Sequence, residues 1–433
     1  MMAAPTRDLD LHATAQDALA LMLEQGFEHA QASARLTRLT ELNFELNVPS
    51  LLRSTETHRL ALLGLIGGRK AATELSDLST PALREAVAAL HADAAGAPAD
   101  EANAVSSGQR ADIVQGPQQA DVDVLAAKVQ ELLDFRARET PKMQLKEGSA
   151  AHTLVQTCTL TSGGSTLASR IGACSLSVIG SARDGAKASS FNFAAGQTHD
   201  LAAQPAPTYF GIGAMMREAE RQTDPRPLPA AFTGDVVLTP PAVADLLQWL
   251  LRQIGDEALI AGTSLYAHRV GERIASPLLH LHSRFDAPGV AATSADGFAT
   301  PPVTVLDGGA LRCLTPSLYG SRKTGLAHVP VAASGWSLAA GSTTRATLLA
   351  GLPRGVLVGR LSMGMPAPDG GFSAVVKNSF LVEGGHVGPA LAGTMMAGNM
   401  ASMLQAVRAV SSERIDTGDW CLPWLHIAGL HFS

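Results

Sequence analysis

The sequence predicts an α+β protein of two domains, in which mixed, largely antiparallel sheets are flanked by helices. The chain has 433 residues, of which 46% are hydrophobic, and this is enough for more than one ordinary core. Helical and alternating strand patterns both occur in the N-terminal half, whereas the last third is rich in short strand patterns. A proline-rich segment, "TDPRPLPAAFTG" from Thr223 to Gly234, lies between the halves. It predicts domains over residues 1–222 and 223–433.

The first helix and the first strand have clear patterns. His12 to Gln25 places apolar residues on one face and is followed by Gly26, which favours an amphipathic helix that ends at a glycine. In "TELNFELNV", Leu42, Phe44 and Leu46 alternate with polar residues. This alternation is typical of a strand with one buried face.

The rest of the N-terminal half contains a segment without apolar periodicity. Residues 92–119 are rich in Ala, Asp, Gly, Ser, Pro and Gln, which predicts a mobile surface loop. Elsewhere the patterns predict three further helices and several short strands. The helices are expected over Thr80–Leu90, Val122–Arg138 and Ile212–Arg221, and the strands near Thr153–Leu160, Leu167–Ile179 and Ala188–Phe193.

The C-terminal half begins with the clearest local pattern in the chain. "GDVVLTPPAVADLLQWLLRQIG" predicts a buried strand at Val236 to Leu238 and then a helix that begins at Pro240 and ends at Gly255. Two hairpins are predicted further on, with turns at Asp307-Gly308-Gly309 and at Gly384-Gly385. Methionines at helical spacing predict a last helix from Thr394 to Ser411.

Composition and charge exclude several classes of function. The formal net charge is −6 and there is no basic block, so the sequence does not predict a nucleic-acid-binding protein. The four cysteines are scattered without a Cys-x-x-Cys pair, which is typical of reduced thiols. Within residues 1–11, Arg7, Asp8 and Asp10 stand where a signal peptide would need its apolar run. No later apolar run approaches the 18 residues that a membrane-spanning helix needs. We therefore predict a cytoplasmic protein that does not span a membrane.

Motifs for catalysis are absent from the sequence. It contains no His-Glu-x-x-His zinc motif and no Gly-x-Ser-x-Gly nucleophile motif. His280 and His282 would share one face of a strand, but two imidazoles without a third ligand are incomplete, so we interpret them as a hydrogen-bonded edge. Lys377 and Asn378 interrupt an apolar strand pattern, where a lysine must either reach water or line a cavity.

Several segments of the C-terminal half resemble one known family, in the same order. They are "FTGDVVLTPPAVADLLQWLL", "AGTSLY", "SRFDAPGVAATSADGFATPPVTVLDGGALRCLTPSLYGSRKTG", "FSAVVKNSFLVEGGHVGPALAGTMMAGNM" and "WCLPWLHIAGL". Together they cover about Ile212 to Leu430 and resemble the C-terminal domain of the TldD/TldE family, which is also known as PmbA or modulator of DNA gyrase. The N-terminal half resembles that family only in outline. The resemblance implies a TldD/PmbA-like fold.

The resemblance also implies which branch of the family is concerned. In that family the TldD subunit is a zinc peptidase, with a helical His-Glu-x-x-x-His motif and a late cysteine as metal ligands. This sequence has Leu247, Gln248 and Arg252 where the motif would fall, and Cys421 is a lone remnant of the ligand set. The resemblance therefore implies a metal-free, TldE/PmbA-like chain without a cofactor of its own. It also implies a TldD-like metallopeptidase partner that holds the zinc.

The implied function is that of a non-catalytic subunit of a heteromeric peptidase that degrades or matures unfolded or precursor peptides. Such a subunit would form a wall of the proteolytic chamber and an interface with its partner. The hairpin strands around Phe372 to Val382 would contribute to peptide binding, through Phe372, Ser373, Lys377, Asn378 and Ser379. The alternative is that this hairpin is ordinary core or dimer interface. Two other functions stay open, namely a non-catalytic homodimeric peptide-binding protein and a stand-alone hydrolase with an unrecognised site.

Overall fold

The computed structural model describes residues 10–433. Residues 1–9, whose charges contributed to the prediction of a cytoplasmic protein, lie outside the described residues. Across residues 10–433, no helix has both the length and the apolar character that are needed to cross a bilayer.

The N-terminal half forms one sheet whose helices lie over a single face. Even-numbered residues of the first strand, such as Ala32, Ala34 and Phe44, are buried under the helices, while the odd-numbered residues between them are polar or partly exposed. The elements are α1 (Leu11–Glu24), β1 (His29–Glu45), β2 (Val48–Ile66), β3 (Arg69–Leu75), α2 (Thr80–Gly96), β4 (Arg110–Gln115), α3 (Val122–Glu139), β5 (Met143–Thr161), β6 (Thr166–Asp184), β7 (Lys187–Ala188), β8 (Asn192–Thr198), a 3-10 helix (Ala206–Gly211) and α4 (Ile212–Glu220).

The strands of this sheet lie in the order β3-β2-β1-β5-β6-β4, and β7 and β8 also pair with β6. The pairs are antiparallel except for β4, which runs parallel to β6. The β1–β2 hairpin turns at Leu46 and Asn47, whose φ angles are 49° and 68°, as a two-residue hairpin requires. The four predicted helices of this half are confirmed, and the strands predicted near Thr153–Leu160 and Leu167–Ile179 lie within the longer strands β5 and β6. The strand predicted near Ala188–Phe193 is wrong, because residues 189–191 separate β7 from β8, and Leu46 lies in the turn after β1 rather than in the strand.

The prediction that residues 92–119 form an irregular loop is wrong in part. Helix α2 continues to Gly96, and Arg110–Gln115 forms β4. The hydrogen bonds of β4 go to β6, more than fifty residues further along the chain, so no local pattern could indicate this strand. The segment is also fixed by His152, whose Nε2 lies 2.8 Å from the Pro117 carbonyl oxygen.

The C-terminal half contains a second, larger sheet. Its elements are β9 (Phe232–Leu238), α5 (Pro240–Ile254), α6 (Asp256–Ile260), β10 (Leu281–Ser283), β11 (Thr304–Asp307), β12 (Ala310–Leu311), α7 (Leu318–Thr324), β13 (Trp336–Leu338), α8 (Arg345–Ala350), β14 (Arg354–Val358), β15 (Arg360–Ser362), β16 (Gly371–Lys377), β17 (Phe380–Glu383), β18 (His386–Ala390), β19 (Met395–Asn399), α9 (Met400–Gln405), β20 (Val407–Asp416) and β21 (Trp420–Phe432).

The second sheet is mixed, with the main order β12-β11-β10-β13-β21-β9-β14-β17-β18. The pairs β9–β14 and β13–β21 are parallel, and the other pairs are antiparallel. Helix α5 buries Leu246, Leu247, Leu250 and Ile254 in the core of this half. The predicted strand and helix at residues 236–255 are confirmed, as are the hairpin turns at Asp307-Gly308-Gly309 and Gly384-Gly385.

Two predictions for the last third are wrong. The helix expected from Thr394 to Ser411 is a strand, one short helix and another strand, namely β19, α9 and β20. The helix begins only after Asn399, whose Oδ1 accepts a hydrogen bond from the Ser402 backbone N–H at 3.0 Å. The strand pattern around Phe372 to Val382 is also not one hairpin. It is split into β16 and β17, which pair with different neighbours.

The two sheets have no strand in common among the described residues. Strand β8 ends at Thr198 and β9 begins at Phe232, and α4 packs in the core of the N-terminal half. Contacts between the halves include a hydrogen bond of 2.8 Å from the Tyr319 hydroxyl to Asp100 and an ion pair of 2.9 Å between Lys323 and Asp100. The domain boundary at residues 222 and 223 stays a prediction.

Candidate functional site

A cleft of about 730 Å³ opens between the two halves. Its N-terminal wall comes from the segment around β8 and from α4. Its C-terminal wall comes from the start of α5, from β15 and from the end of β16. The side chains that line it are aromatic, aliphatic and charged, and include Phe191, Phe193, Met215, Glu218, Ala244, Asp245, Gln248, Arg345, Arg360, Lys377, Asn378, Trp420 and Trp424.

Helix α5 turns its polar side toward this cleft. Ala244, Asp245 and Gln248 line the cleft, while Leu246 and Leu250 on the other side of the helix are fully buried. This division follows from the helical period, which separates an apolar stripe from a polar one. Of the positions at which the family's metal motif would fall, only Gln248 lies in the cleft. Leu247 is core and Arg252 is exposed.

Asp245 is a carboxyl group in a poorly hydrated position. Burial raises its pKa to about 6, because the charged form loses hydration. A hydrogen bond from the Leu361 backbone N–H and the positive charge of Arg360 act in the opposite direction but do not compensate for burial. Asp245 is therefore partly protonated at slightly acidic pH.

The raised pKa of Asp245 makes stability depend on pH. Between pH 4 and about 6 the folded chain holds the proton more tightly than the unfolded chain does, so this group lowers stability as the pH rises through that window. We expect Asp245→Asn to increase the free energy of unfolding at pH 8, on the order of 2 kcal/mol. Urea titrations followed by tryptophan fluorescence at pH 4, 6 and 8 measure this, and the difference should vanish near pH 4. A variant less stable than the native chain at pH 8 contradicts the argument.

Arg360 is a partly buried cation of the cleft wall. One of its terminal amino groups donates to the Phe191 carbonyl oxygen at 3.3 Å, and its guanidinium carbon lies 4.6 Å from the centre of the Phe193 ring. Its Nε is buried without a hydrogen-bond partner among the described residues. Burial also lowers its pKa, while Asp245 acts to raise it. The guanidinium group therefore has an unused donor in the cleft wall.

A tight backbone junction holds Lys377 and Asn378 at the cleft. The Gly359 N–H donates to the Ser379 hydroxyl at 3.1 Å, and that hydroxyl donates to the Lys377 carbonyl oxygen at 2.8 Å. A Cβ atom on Gly359 would lie 2.2 Å from the Asn378 carbonyl oxygen, so only glycine allows this approach. Asn378 has a φ of 53°, and its Oδ1 is buried without a partner among the described residues.

The five residues predicted to bind peptide do not lie together. Lys377 and Asn378 line the cleft, and they also line a smaller cavity of about 170 Å³ together with Ser379. Ser379 is buried and supports the backbone. Phe372 packs against the C-terminal core at the far end of β16, and the neighbouring Ser373 is exposed. A role for these residues in peptide binding stays a prediction.

Cys421, the proposed remnant of a metal site, does not line the cleft. Its neighbours Trp420 and Leu422 do, whereas Cys421 is buried near Ser337 and Asp416, and burial raises the pKa of its thiol. The carboxylate of Glu218 in the cleft wall is paired with Arg345 at 2.9 Å. Within residues 10–433, no group of three His, Cys, Asp or Glu side chains is arranged to hold a metal ion. This donor set does not fit a zinc site.

The histidine pair at residues 280 and 282 belongs to no group of three possible metal ligands within residues 10–433. The Nδ1 of His280 lies 3.1 Å from Asp307 Oδ1 at an exposed edge. His282 lies in β10, and burial lowers its pKa. The interpretation as a hydrogen-bonded edge is confirmed for His280.

Sequence reasoning missed the charged residues Asp245 and Arg360 and the aromatic residues Phe191 and Phe193. Asp245 lies on the side of α5 that the apolar pattern leaves out, and Arg360 directly follows a glycine between two strands. The alternation of Phe191 and Phe193 on either side of Asn192 was a usable signal, since both rings are about half exposed, at 51% and 52%.

Comparison with known proteins identifies what this chain is similar to. Residues 232–433 match a family model described as the PmbA/TldA metallopeptidase C-terminal domain. No curated protein matches the chain.

Three solved structures share the fold. TldE from Thermococcus kodakarensis has a TM-score of 0.81 and 19% identity, over 96% of this chain and 99% of that one. A protein described as a modulator of DNA gyrase from Bacteroides thetaiotaomicron has a TM-score of 0.80 and 18% identity, over 97% and 98% of the two chains. Another of that description from Thermotoga maritima has a TM-score of 0.76 and 16% identity, over 96% and 99%. The predicted α+β, TldD/PmbA-like fold is confirmed.

Proposed function

Because the chain belongs to the TldD/PmbA family through its C-terminal domain, residues 232–433, we propose that it is a non-catalytic, TldE-like subunit of a cytoplasmic metallopeptidase. In this proposal the zinc is held by a TldD-like partner, and the two chains together enclose unfolded or precursor peptides. The present chain contributes a wall of the chamber and an interface with the partner.

One observation carries the proposal, namely the identity of the α5 side chains that line the cleft. At the part of the helix where the family's metal motif would fall, the cleft receives the amide of Gln248, and the nearest carboxyl group on the helix is Asp245, whose pKa is raised by burial. Zinc in proteins is held mainly by imidazole, thiolate and ionised carboxylate groups. The cleft has the size and the interdomain location of a binding site, with side chains suited to polar and apolar contacts.

The proposal puts the partner interface at the outer end of the β1–β2 hairpin. Leu46 is 68% exposed there, and Val48, Leu51 and Leu52 are also exposed. Strand β3 pairs only with residues 60–66 of β2, so residues 48–59 form an open sheet edge within the described structure. An open edge with apolar side chains is suited to strand addition by another chain.

Co-expression with a TldD-like subunit tests the proposal. We expect a stable complex by size-exclusion chromatography with light scattering, and zinc close to one ion per TldD-like chain by mass spectrometry. Turnover of an unstructured peptide should require both chains and should be lost on chelation. Near-stoichiometric zinc in the present chain alone contradicts the proposal. Chelator-insensitive turnover by this chain alone would indicate a stand-alone hydrolase, and a homodimer that never forms the mixed complex would indicate a peptide-binding protein.

A charge in the proposed interface should weaken the complex. We expect Leu51→Glu to lower the affinity for the TldD-like subunit by about tenfold or more, because a carboxylate would have to be desolvated or would exclude the partner. Val114→Glu is the matched control, since Val114 is also an exposed apolar residue, at 63% against 47% for Leu51, and lies on β4 at another edge of the same sheet. Equal affinities of the two variants, measured by biolayer interferometry, would place the interface elsewhere.

A further inference from the structure

We propose that the cleft between the two halves binds a peptide through one of its carboxylate groups, with Arg360 as the anchor and the rings of Phe191 and Phe193 as the apolar contact. This inference rests on the proposed function, because it names the part of a peptide that this subunit would hold.

The charges that line the cleft favour an anion. Arg345 is already paired with Glu218 at 2.9 Å and lies over the Trp424 ring. Arg360 and Lys377 form no ion pair within the described structure, and Asp245 is the remaining carboxyl group that faces them. After the internal pair is set aside, the wall has two cations and one carboxyl group. A negatively charged ligand is therefore complementary to it.

Arg360 is arranged to recognise a carboxylate rather than only to attract charge. Its contacts with the Phe191 carbonyl oxygen and the Phe193 ring fix the plane of the guanidinium group. The planar fork of a guanidinium group matches the two oxygens of a carboxylate. Its buried Nε has no partner, and an unmatched buried donor is costly. Because Nε itself is not exposed, a small shift of the side chain would be needed to bring it to a carboxylate in the cleft, and that contact would remove the cost.

Asn378 indicates that the ligand also carries hydrogen-bond donors. Its Oδ1 is buried without a partner in the same cleft wall. A peptide offers backbone N–H groups beside its carboxylate, so after a small shift of the two side chains it can satisfy the unmatched acceptor of Asn378 and the unmatched donor of Arg360 together. A fatty acid has the carboxylate but no such donor.

The apolar part of the wall indicates that the bound peptide has an apolar side chain at or next to the residue that carries the carboxylate. Phe191 and Phe193 leave about half of their surface exposed, and Trp420 also lines the cleft. Exposed rings of this kind favour contact with apolar side chains. A peptide that ends in an apolar residue fits, and so does one with an acidic side chain next to an apolar one.

Binding to the isolated chain tests the inference. The probe is a fluorescein-labelled hexapeptide with a C-terminal leucine, measured by fluorescence anisotropy in the presence of a chelator. We expect the free acid to bind at least about tenfold more tightly than the C-terminal amide. An amidated peptide with one internal glutamate beside leucine distinguishes the source. If it binds as well as the free acid, the site reads an acidic side chain as well as a terminal carboxylate. Equal binding of the free acid and a glutamate-free amide would overturn the inference.

Variants identify the anchor. Arg360→Gln is expected to weaken binding of the free acid about tenfold and to abolish the preference over the amide, and Arg360→Lys should restore only part of it. Arg354→Gln is the control, because Arg354 lies on the neighbouring β14 near Glu383 and does not line the cleft. An unchanged affinity of Arg360→Gln contradicts the inference. If that variant does not fold, the comparison of acid and amide on the native chain still decides.

This experiment separates the inference from the proposed function. It uses one chain and no zinc, so a missing partner cannot cause it to fail. A zinc-dependent complex whose isolated subunit does not distinguish acid from amide would overturn the inference alone. Preference for the acid without any complex would overturn the subunit proposal alone.

Discussion

Replacing Leu250 with alanine is expected to lower the free energy of unfolding by about 3 kcal/mol. Leu250 is fully buried on the core side of α5, where it packs in the cluster that joins this helix to β9 and β21. The substitution removes three carbon atoms from a packed site and leaves a cavity that the surrounding strands cannot close completely. Because α5 also carries Asp245, the cleft depends on this packing.

Tryptophan fluorescence in a urea titration measures the effect on the correct half of the chain. The four tryptophans of the sequence are all in the C-terminal half, so the transition reports on the domain that contains α5. Leu251→Ala is the matched control, because the neighbouring leucine is only partly buried, and it should cost clearly less. If both variants shift the midpoint equally, burial of Leu250 is not what stabilises the helix.

The second large effect is expected for Gly172→Ala in β6. A Cβ atom at this position would lie 1.7 Å from the Pro117 carbonyl oxygen, and no side-chain rotation can relieve a contact with backbone. We expect residues 110–118 to separate from β6, with a loss of about 3 kcal/mol or more. Hydrogen–deuterium exchange should show faster exchange in β4.

Gly364→Ala provides the comparison for this variant. Gly364 has open space around the position of a Cβ atom, and its φ lies outside the left-handed region, so exchange in β4 should remain as in the native chain. If Gly172→Ala also left that exchange unchanged, the close packing of the segment around Pro117 on β6 would be refuted.

The elements that could be predicted from the sequence are those with local determinants. Helix α5 has a proline at its first position, an unbroken apolar stripe and a glycine at its end, all within one short window. The turn at Gly384-Gly385 is likewise local. Strand β4 could not be predicted, because its hydrogen bonds come from β6. The methionine spacing from residue 396 to 403 did not distinguish between two structures. These methionines are buried as a helix would require, but strand β19 followed by the short helix α9 buries the same residues.

The site was only partly predictable for a similar reason. Lys377 and Asn378 can be singled out from the sequence because they interrupt an apolar strand pattern, and they do line the cleft. Phe372 and Ser373 would lie beside them only in one continuous hairpin, whereas the chain changes direction at Asn378. Arg360 and Phe191 are 169 positions apart in the sequence. They are in contact only because the N-terminal and C-terminal halves pack against each other. No window of sequence contains that contact.

The position of β21 in the second sheet has a consequence for synthesis on the ribosome. This strand pairs with β9, β13, β19 and β20, all of which are translated before it. The N-terminal sheet has all of its strands before residue 199, so a nascent chain can complete it while most of the second half is still being made. The second sheet cannot be completed until β21 has emerged from the exit tunnel. Until then its central strands expose unpaired backbone, and chaperones would be expected to bind at that stage.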